Sequence, residues 1–190
     1  MRTFIAIDLS DDVRAAIEET QTKLKQAPIG IKISWTKVAN LHLTLQFLGN
    51  VKDAVVDKLK PALQLVASQH RPFEVIVQGA GAFPDEKRPR VVWVGCGDNE
   101  NRLKMLARAV QDAMRQFGFI PEDHEFSAHS TLGRIRSPRP DAALTRAIDS
   151  LKDTSFGTLR VETIHLFESQ LHPEGSIYTK LSSHALGAHN

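Results

Sequence analysis

The 190-residue sequence is short of several features that would each point to a function class. It has a single cysteine, Cys96, so no disulfide framework can form within the chain. Cys96 lies in an apolar stretch, Trp93 to Gly97, where a thiol reads as packing rather than as a reactive group. No apolar run approaches the ~20 residues of a membrane-spanning helix. The amino-terminal run Phe4 to Ile7 is too short for the core of a secretion signal, and Asp8 follows at once, so the cytoplasm is the expected compartment. The net charge is only +2, too small to imply nucleic-acid binding by itself. His-Glu-x-x-His, the compact zinc-binding pattern, does not occur. The rest is ordinary for a globular chain: 42% hydrophobic and 24% charged residues, with length enough for one large domain or two small lobes.

Against that background one stretch stands out. His42-Leu43-Thr44-Leu45 lies in a largely apolar run, Leu41 to Leu48, that stops at Gly49. Such a run reads as a strand, on which side chains point to opposite faces with a period of two. His42 and Thr44 then share one face, and Leu43 and Leu45 the other, which belongs to a core. A second copy follows 87 positions later: His129-Ser130-Thr131-Leu132, closed by Gly133. The same offset carries Phe4-Ile5-Ala6-Ile7 onto Val91-Val92-Trp93-Val94 and Asp11 onto Asp98. An offset kept at three landmarks indicates internal duplication. The expected organisation is one bilobal α+β domain over residues 1–190, with pseudo-repeats at about 1–85 and 88–181 and a tail at 182–190.

Taken in order, Thr3 to Leu9 is a buried strand. A helix capped by Ser10 or Asp11 runs to about Lys25, with Val13, Ile17 and Leu24 on one stripe. Ile31 to Trp35 is a candidate short strand. Asp53 opens a helix whose Pro61 predicts a kink. Phe73 to Gln78 is a strand, and Gly79 to Arg90 is the seam between halves. The second half repeats the order: a strand at Arg90 to Gly95, a helix from about Asn99 to Phe117, the His129 strand, a helix from Asp141 to Leu151, and a strand from Leu159 to Phe167. A last strand, Ile177 to Leu181, precedes the tail, whose final residues are expected to be mobile.

Two His-x-Thr strands facing one cleft suit a displacement reaction. One imidazole can take a proton while the other gives one, near neutral pH. The threonine hydroxyls can donate to an anionic oxygen held between the rings, and a phosphodiester supplies such oxygens. Metal binding is the competitor. Glu122, Asp123 and Glu125 precede the second motif, but nothing comparable flanks the first, and threonine is a poor ligand for most metals. No metal and no cofactor is expected.

These paired motifs in a duplicated α+β chain resemble the 2H phosphoesterase superfamily. Within it the sequence is most similar to bacterial and archaeal RNA 2′,3′-cyclic phosphodiesterases, also called 2′-5′ RNA ligase-like proteins. The resemblance covers nearly the whole chain. It runs through Arg2 to Ile7, Trp35 to Leu45, Pro89 to Gly95, Phe126 to Arg134, and Gly175 to Leu181 with Tyr178. One departure is Ala128, where the family often carries proline. The resemblance implies two antiparallel-rich sheets flanking a central cleft, with helices outside. It also implies metal-independent hydrolysis of a 2′,3′-cyclic phosphate to a 2′-phosphomonoester, and the same transfer to another acceptor would give reversible 2′-5′ RNA joining.

By motif match, Phe47 would stack on a base and Arg134 would contact phosphate or nucleotide. Each lies five positions after its histidine, so strict alternation places both on the wrong face unless the strand bends near Gly49 or Gly133. A base on Phe47 would bring the leaving oxygen to His42, which makes His42 the general acid and His129 the general base. Arg136 and Arg139 are further candidates for an RNA backbone. His165 lacks a threonine two residues on and reads as structural; His70, His124, His172, His184 and His189 read as solvated, and Trp35 and Trp93 as packing. The expected partners are RNA ends or nucleotides carrying a cyclic phosphate, met by a monomer without membrane contact. A non-catalytic module that binds RNA ends is the alternative.

Overall fold

The computed structural model describes residues 1–121 and 123–187, and its elements follow the alternating order read from the sequence. The first half contains β1 (Arg2–Asp8), α1 (Asp11–Gln26), β2 (Ser34–Trp35), β3 (His42–Asn50), α2 (Asp53–Ser68) and β4 (Phe73–Phe83). The second contains β5 (Val91–Gly97), α3 (Arg102–Arg115), β6 (His129–Arg134), α4 (Ala142–Ser150), β7 (Ser155–Val161), β8 (Thr163–Gln170) and β9 (Ile177–Ala185). A short 3-10 turn, Val38–Asn40, leads into β3. Local chemistry explains several starts: Asp98 accepts from the amides of Arg102 and Leu103 at the head of α3, and Asp141 accepts from Leu144 at the head of α4. α2 continues through the exposed Pro61 to Ser68.

The strands form two antiparallel sheets, ordered β3-β1-β8-β9 and β2-β6-β5-β4-β7. The sheets are not the two halves of the sequence. β4 crosses over to pair with β5, and β8 crosses back to pair with β1. The helices also exchange: α1 packs on β7 and α4 on β4 of the second sheet, while α2 and α3 pack together against the first. One continuous apolar core joins both layers, including Leu43 and Leu45 of β3 and Leu132 of β6. A second, smaller group on the first sheet, Phe4, Ala6 and Phe167 with Tyr178, faces away from that core.

Several boundaries differ from the sequence reading. Only Ser34–Trp35 of the run Ile31 to Trp35 is a strand, because it pairs just with Gly133 and Arg134 at the edge of β6. β4 extends to Phe83 instead of ending at Gln78. Gly79, at φ +74°, is the extra residue of a bulge, and a side chain on Gly81 would collide with the Trp93 ring. Those glycines serve a strand rather than a loop. The run Leu159 to Phe167 divides between β7 and β8, which belong to different sheets. β9 continues to Ala185, and the Leu186 and Gly187 amides bond the Glu162 and Ala67 carbonyls, so the expected tail is held in place up to Gly187. Glu122, His189 and the rest of 188–190 lie outside the described residues.

Candidate active site

The edge strand β3 and strand β6, next to the two-residue edge strand β2, bring their motifs to one cleft of about 650 Å³ between the sheets. His42, Thr44, Phe47, His129, Thr131 and Arg134 all line it. On β3, His42 and Thr44 are half-buried at the cleft while Leu43 and Leu45 are buried behind them; β6 repeats this with His129, Thr131, Ser130 and Leu132. Period-two alternation therefore holds over both tetrapeptides.

The alternation then breaks, in the same way in both strands. Pairing of β1 with β3 passes from Ala6↔Thr44 to Ile5↔Gln46, which leaves Leu45 as an extra residue. Pairing of β5 with β6 passes from Trp93↔Thr131 to Val92↔Gly133, which leaves Leu132. Leu45 and Gln46 are buried in succession, as are Leu132 and Gly133, so the following residues change face. Phe47 emerges 54% exposed, opposite Phe4, and Arg134 emerges exposed, opposite Val91. The bend expected near Gly49 or Gly133 thus lies earlier, at Leu45 and Leu132. Gly133 has a separate duty: a side chain there would strike Ile33 as β2 approaches.

Each imidazole is fixed by the backbone two residues before it. His42 Nδ1–H donates to the Asn40 carbonyl at 2.7 Å, and His129 Nδ1–H donates to the Ser127 carbonyl at 2.7 Å. This leaves Nε2 of each neutral ring as the acceptor, and on His42 it receives the Thr44 hydroxyl at 2.9 Å. The rings rest on aromatics. Phe4 lies 4.8 Å from His42 with Tyr178 edge-on at 5.4 Å, and Phe83 stands edge-on to His129 at 4.9 Å.

The family described as LigT like phosphoesterase matches the chain in two consecutive stretches, residues 7–93 and 94–178. The RNA 2′,3′-cyclic phosphodiesterase of Methanothermobacter thermautotrophicus is 33% identical over 181 residues, covering 95% of this chain and 96% of that one. The protein of the same name from Archaeoglobus fulgidus is 35% identical, covering 95% and 98%. The chain belongs to the LigT-like phosphoesterase family. Among solved structures, TT0787 of Thermus thermophilus superposes with a TM-score of 0.82 at 30% identity over the full length of both chains. E. coli LigT bound to 3′-AMP gives 0.71 at 25% identity over 97% of each.

Electrostatics set this LigT-like site for neutral imidazoles. Burial lowers His42 below the ordinary histidine value, opposed by its bond to Asn40 and by the carboxylate of Asp8, and assisted by Arg14 and Arg134. His129 is lowered by burial and by Arg134, opposed by its bond to Ser127. Burial pushes the Cys96 thiol up to about 12, in keeping with a packing role. Among the described residues, no group of three or more His, Cys, Asp or Glu side chains is placed to hold a metal ion.

Other candidates fall elsewhere. Arg136 and Arg139 line a separate surface pocket with Lys32 and Ser34, and Arg139 donates to the Gly30 carbonyl at 2.9 Å. His165 is buried, its Nδ1 2.8 Å from the Ser183 hydroxyl and its Nε2 3.8 Å from Asp8. His184 is not solvated. β9 carries it inside, where it bonds Ser182 and Gln64, because the strand runs four residues beyond Leu181. Trp93 packs on Phe83 at 5.0 Å. The sequence reading missed Arg2, Phe4, Thr36, Asn40 and Ser176 of the cleft wall. Asn40 and Ser127 act through carbonyls, which every residue has, so only the shared spacing of two from each histidine could have marked them.

Proposed function

We propose that the protein hydrolyses RNA or nucleotide 2′,3′-cyclic phosphates to 2′-phosphomonoesters without a metal, by acid/base work divided between His42 and His129. The observation that carries this reading is the matched orientation of the two rings, each with Nδ1–H held by a backbone carbonyl and Nε2 left for chemistry in one cleft. His129 Nε2 takes a proton from water as its oxygen attacks phosphorus. The P–O3′ bond breaks, and protonated His42 gives its Nε2 proton to the departing 3′-oxygen. Thr44 and Thr131 donate to the non-bridging oxygens, which gain charge in the transition state. Asp8 favours the charged form of His42 while Arg14 and Arg134 oppose it, so His42 is assigned as the acid because a base stacked on Phe47 would bring the leaving oxygen to that side.

Phe47 offers an exposed ring for base stacking, worth ~1–3 kcal/mol per base. Arg134 and Arg2 bring positive charge to the same cleft for a phosphate or the RNA backbone. The relatives named RNA 2′,3′-cyclic phosphodiesterase and the LigT structure with bound 3′-AMP support a nucleotide with a phosphate at the ribose edge as the ligand class. The test is incubation with a nucleoside 2′,3′-cyclic phosphate in the presence of a chelator, followed by phosphorus NMR. Appearance of the 2′-phosphomonoester is the expected result. Binding without turnover would instead make the cleft an RNA-end binding module.

A further inference from the structure

Both bulges are supported by helix side chains from outside the cleft, and the Leu132 carbonyl also accepts from the Thr36 amide at 2.8 Å. Gln21 of α1 is 1% exposed, and its Nε2 donates to the Thr36 carbonyl at 2.8 Å and to the Leu132 carbonyl at 2.9 Å. Gln111 of α3 donates from Nε2 to the Leu45 carbonyl at 3.2 Å. Leu132 and Leu45 are the extra residues of the two bulges. Each glutamine comes from the half of the sequence that does not contain the strand it holds, since α1 crosses to the second sheet and α3 to the first.

We infer that Gln21 and Gln111 are positioning residues that lock the bulges at Leu132 and Leu45 and so aim Arg134 and Phe47 into the cleft. A bulge locally disrupts the ladder, and the carbonyl of its extra residue needs a partner if it is buried; Gln111 donates to the Leu45 carbonyl, and Gln21 gives the Leu132 carbonyl a second donor beside the Thr36 amide. A buried glutamine costs rotamer entropy and desolvation, and Gln21 recovers these through two carbonyl bonds. Without the bulges, alternation would turn Arg134 and Phe47 toward the core. His42, Thr44, His129 and Thr131 precede the bulges, so their placement does not depend on them. The glutamines therefore govern substrate binding and leave proton transfer alone. The inference rests on reading Phe47 and Arg134 as substrate contacts.

The experiment is a set of double-mutant cycles on the full chain with a nucleoside 2′,3′-cyclic phosphate. Gln21→Met and Gln111→Met keep side-chain length and remove the amide. Each is expected to raise KM about 3- to 10-fold, the loss of one or two hydrogen bonds, with kcat close to the parent's. Gln21→Met should add nothing beyond about twofold to Arg134→Ala, and Gln111→Met nothing beyond that to Phe47→Ala. The crossed pairs should multiply. Equal multiplication in all four combinations, or a fall in kcat with KM unchanged, overturns the inference and leaves ordinary packing roles. Unchanged KM in Phe47→Ala and Arg134→Ala would strike the contact reading, whereas no hydrolysis by the parent would strike the proposed function. The half-buried Gln111 alone decides the matter if Gln21→Met does not fold.

Discussion

The Nε2 of His42 lies 2.9 Å from the hydroxyl of Thr44, two residues further along the same strand. With Nδ1–H given to Asn40, neutral His42 accepts the Thr44 proton. Protonation at Nε2 reverses the bond, and the threonine hydrogen then becomes free for an anionic oxygen. In the proposed mechanism, the acid form of His42 and a Thr44 donor for the phosphate would be produced by the same proton.

Replacing either histidine by alanine is expected to cost roughly 10²–10⁴-fold in rate, the scale of one positioned proton transfer. If the rings act as a unit, the double mutant is little worse than the worse single. Steady-state rates within about threefold of the parent in either single mutant would remove the assignment. Thr44→Val and Thr131→Val should lose less, since each deletes one donor and leaves proton transfer intact.

The division of labour is read with a substrate whose leaving group needs little protonation, such as a nitrophenyl phosphodiester. Turnover by His42→Ala should recover with this substrate far more than turnover by His129→Ala. The opposite pattern would exchange acid and base. With the natural leaving group a bell-shaped profile is expected, whose limbs belong to the pair until the mutants separate them. In the free enzyme, the acid limb of kcat/KM falls below pH ~6.5, because the base must be neutral and its pKa is lowered.

Stability should also depend on pH in a fixed direction. His42, His70, His129, His165 and His184 are all lowered in the fold, chiefly by burial. The unfolded chain then binds more protons than the native one at mildly acid pH. The contribution is present above the unfolded value of ~6.5 and is lost as pH falls through the folded values. Thermal melts from pH 7.5 down to 5 should show a falling midpoint. Replacing His184 by Gln should flatten that fall, and an unchanged slope would assign it to other groups.

Arg14 is expected to matter although it lies outside the cleft. Its guanidinium bonds the carbonyls of Leu9, Ala39 and Leu41 at 3.1, 3.2 and 3.1 Å, clamping the turn that presents the Asn40 carbonyl to His42. Arg14→Ala should lower kcat roughly 10- to 100-fold through misplacement of the ring. It should also move the His42 limb upward, since a neighbouring cation is lost. Arg14→Lys keeps the charge and loses the fork, so its rate should drop without that shift. Asp8, Lys180, His165 and Arg134 share this surrounding, and they stay unchanged in both variants.

The two tetrapeptides were legible in the sequence because strand alternation is a local property: His42 with Thr44 and His129 with Thr131 needed only the period of two. The recurrence after 87 positions and the apolar face Leu43-Leu45 were legible for the same reason. Tertiary structure alone decided where alternation fails. A bulge exists only relative to a partner strand, and here the partners are β1 and β5, with Gln111 and Gln21 holding the displaced carbonyls from 66 and 111 residues away. The same holds for the crossing of β4 and β8 and for the inward turn of His184. Each is set by hydrogen bonding and burial across the chain, which no window of neighbouring residues contains.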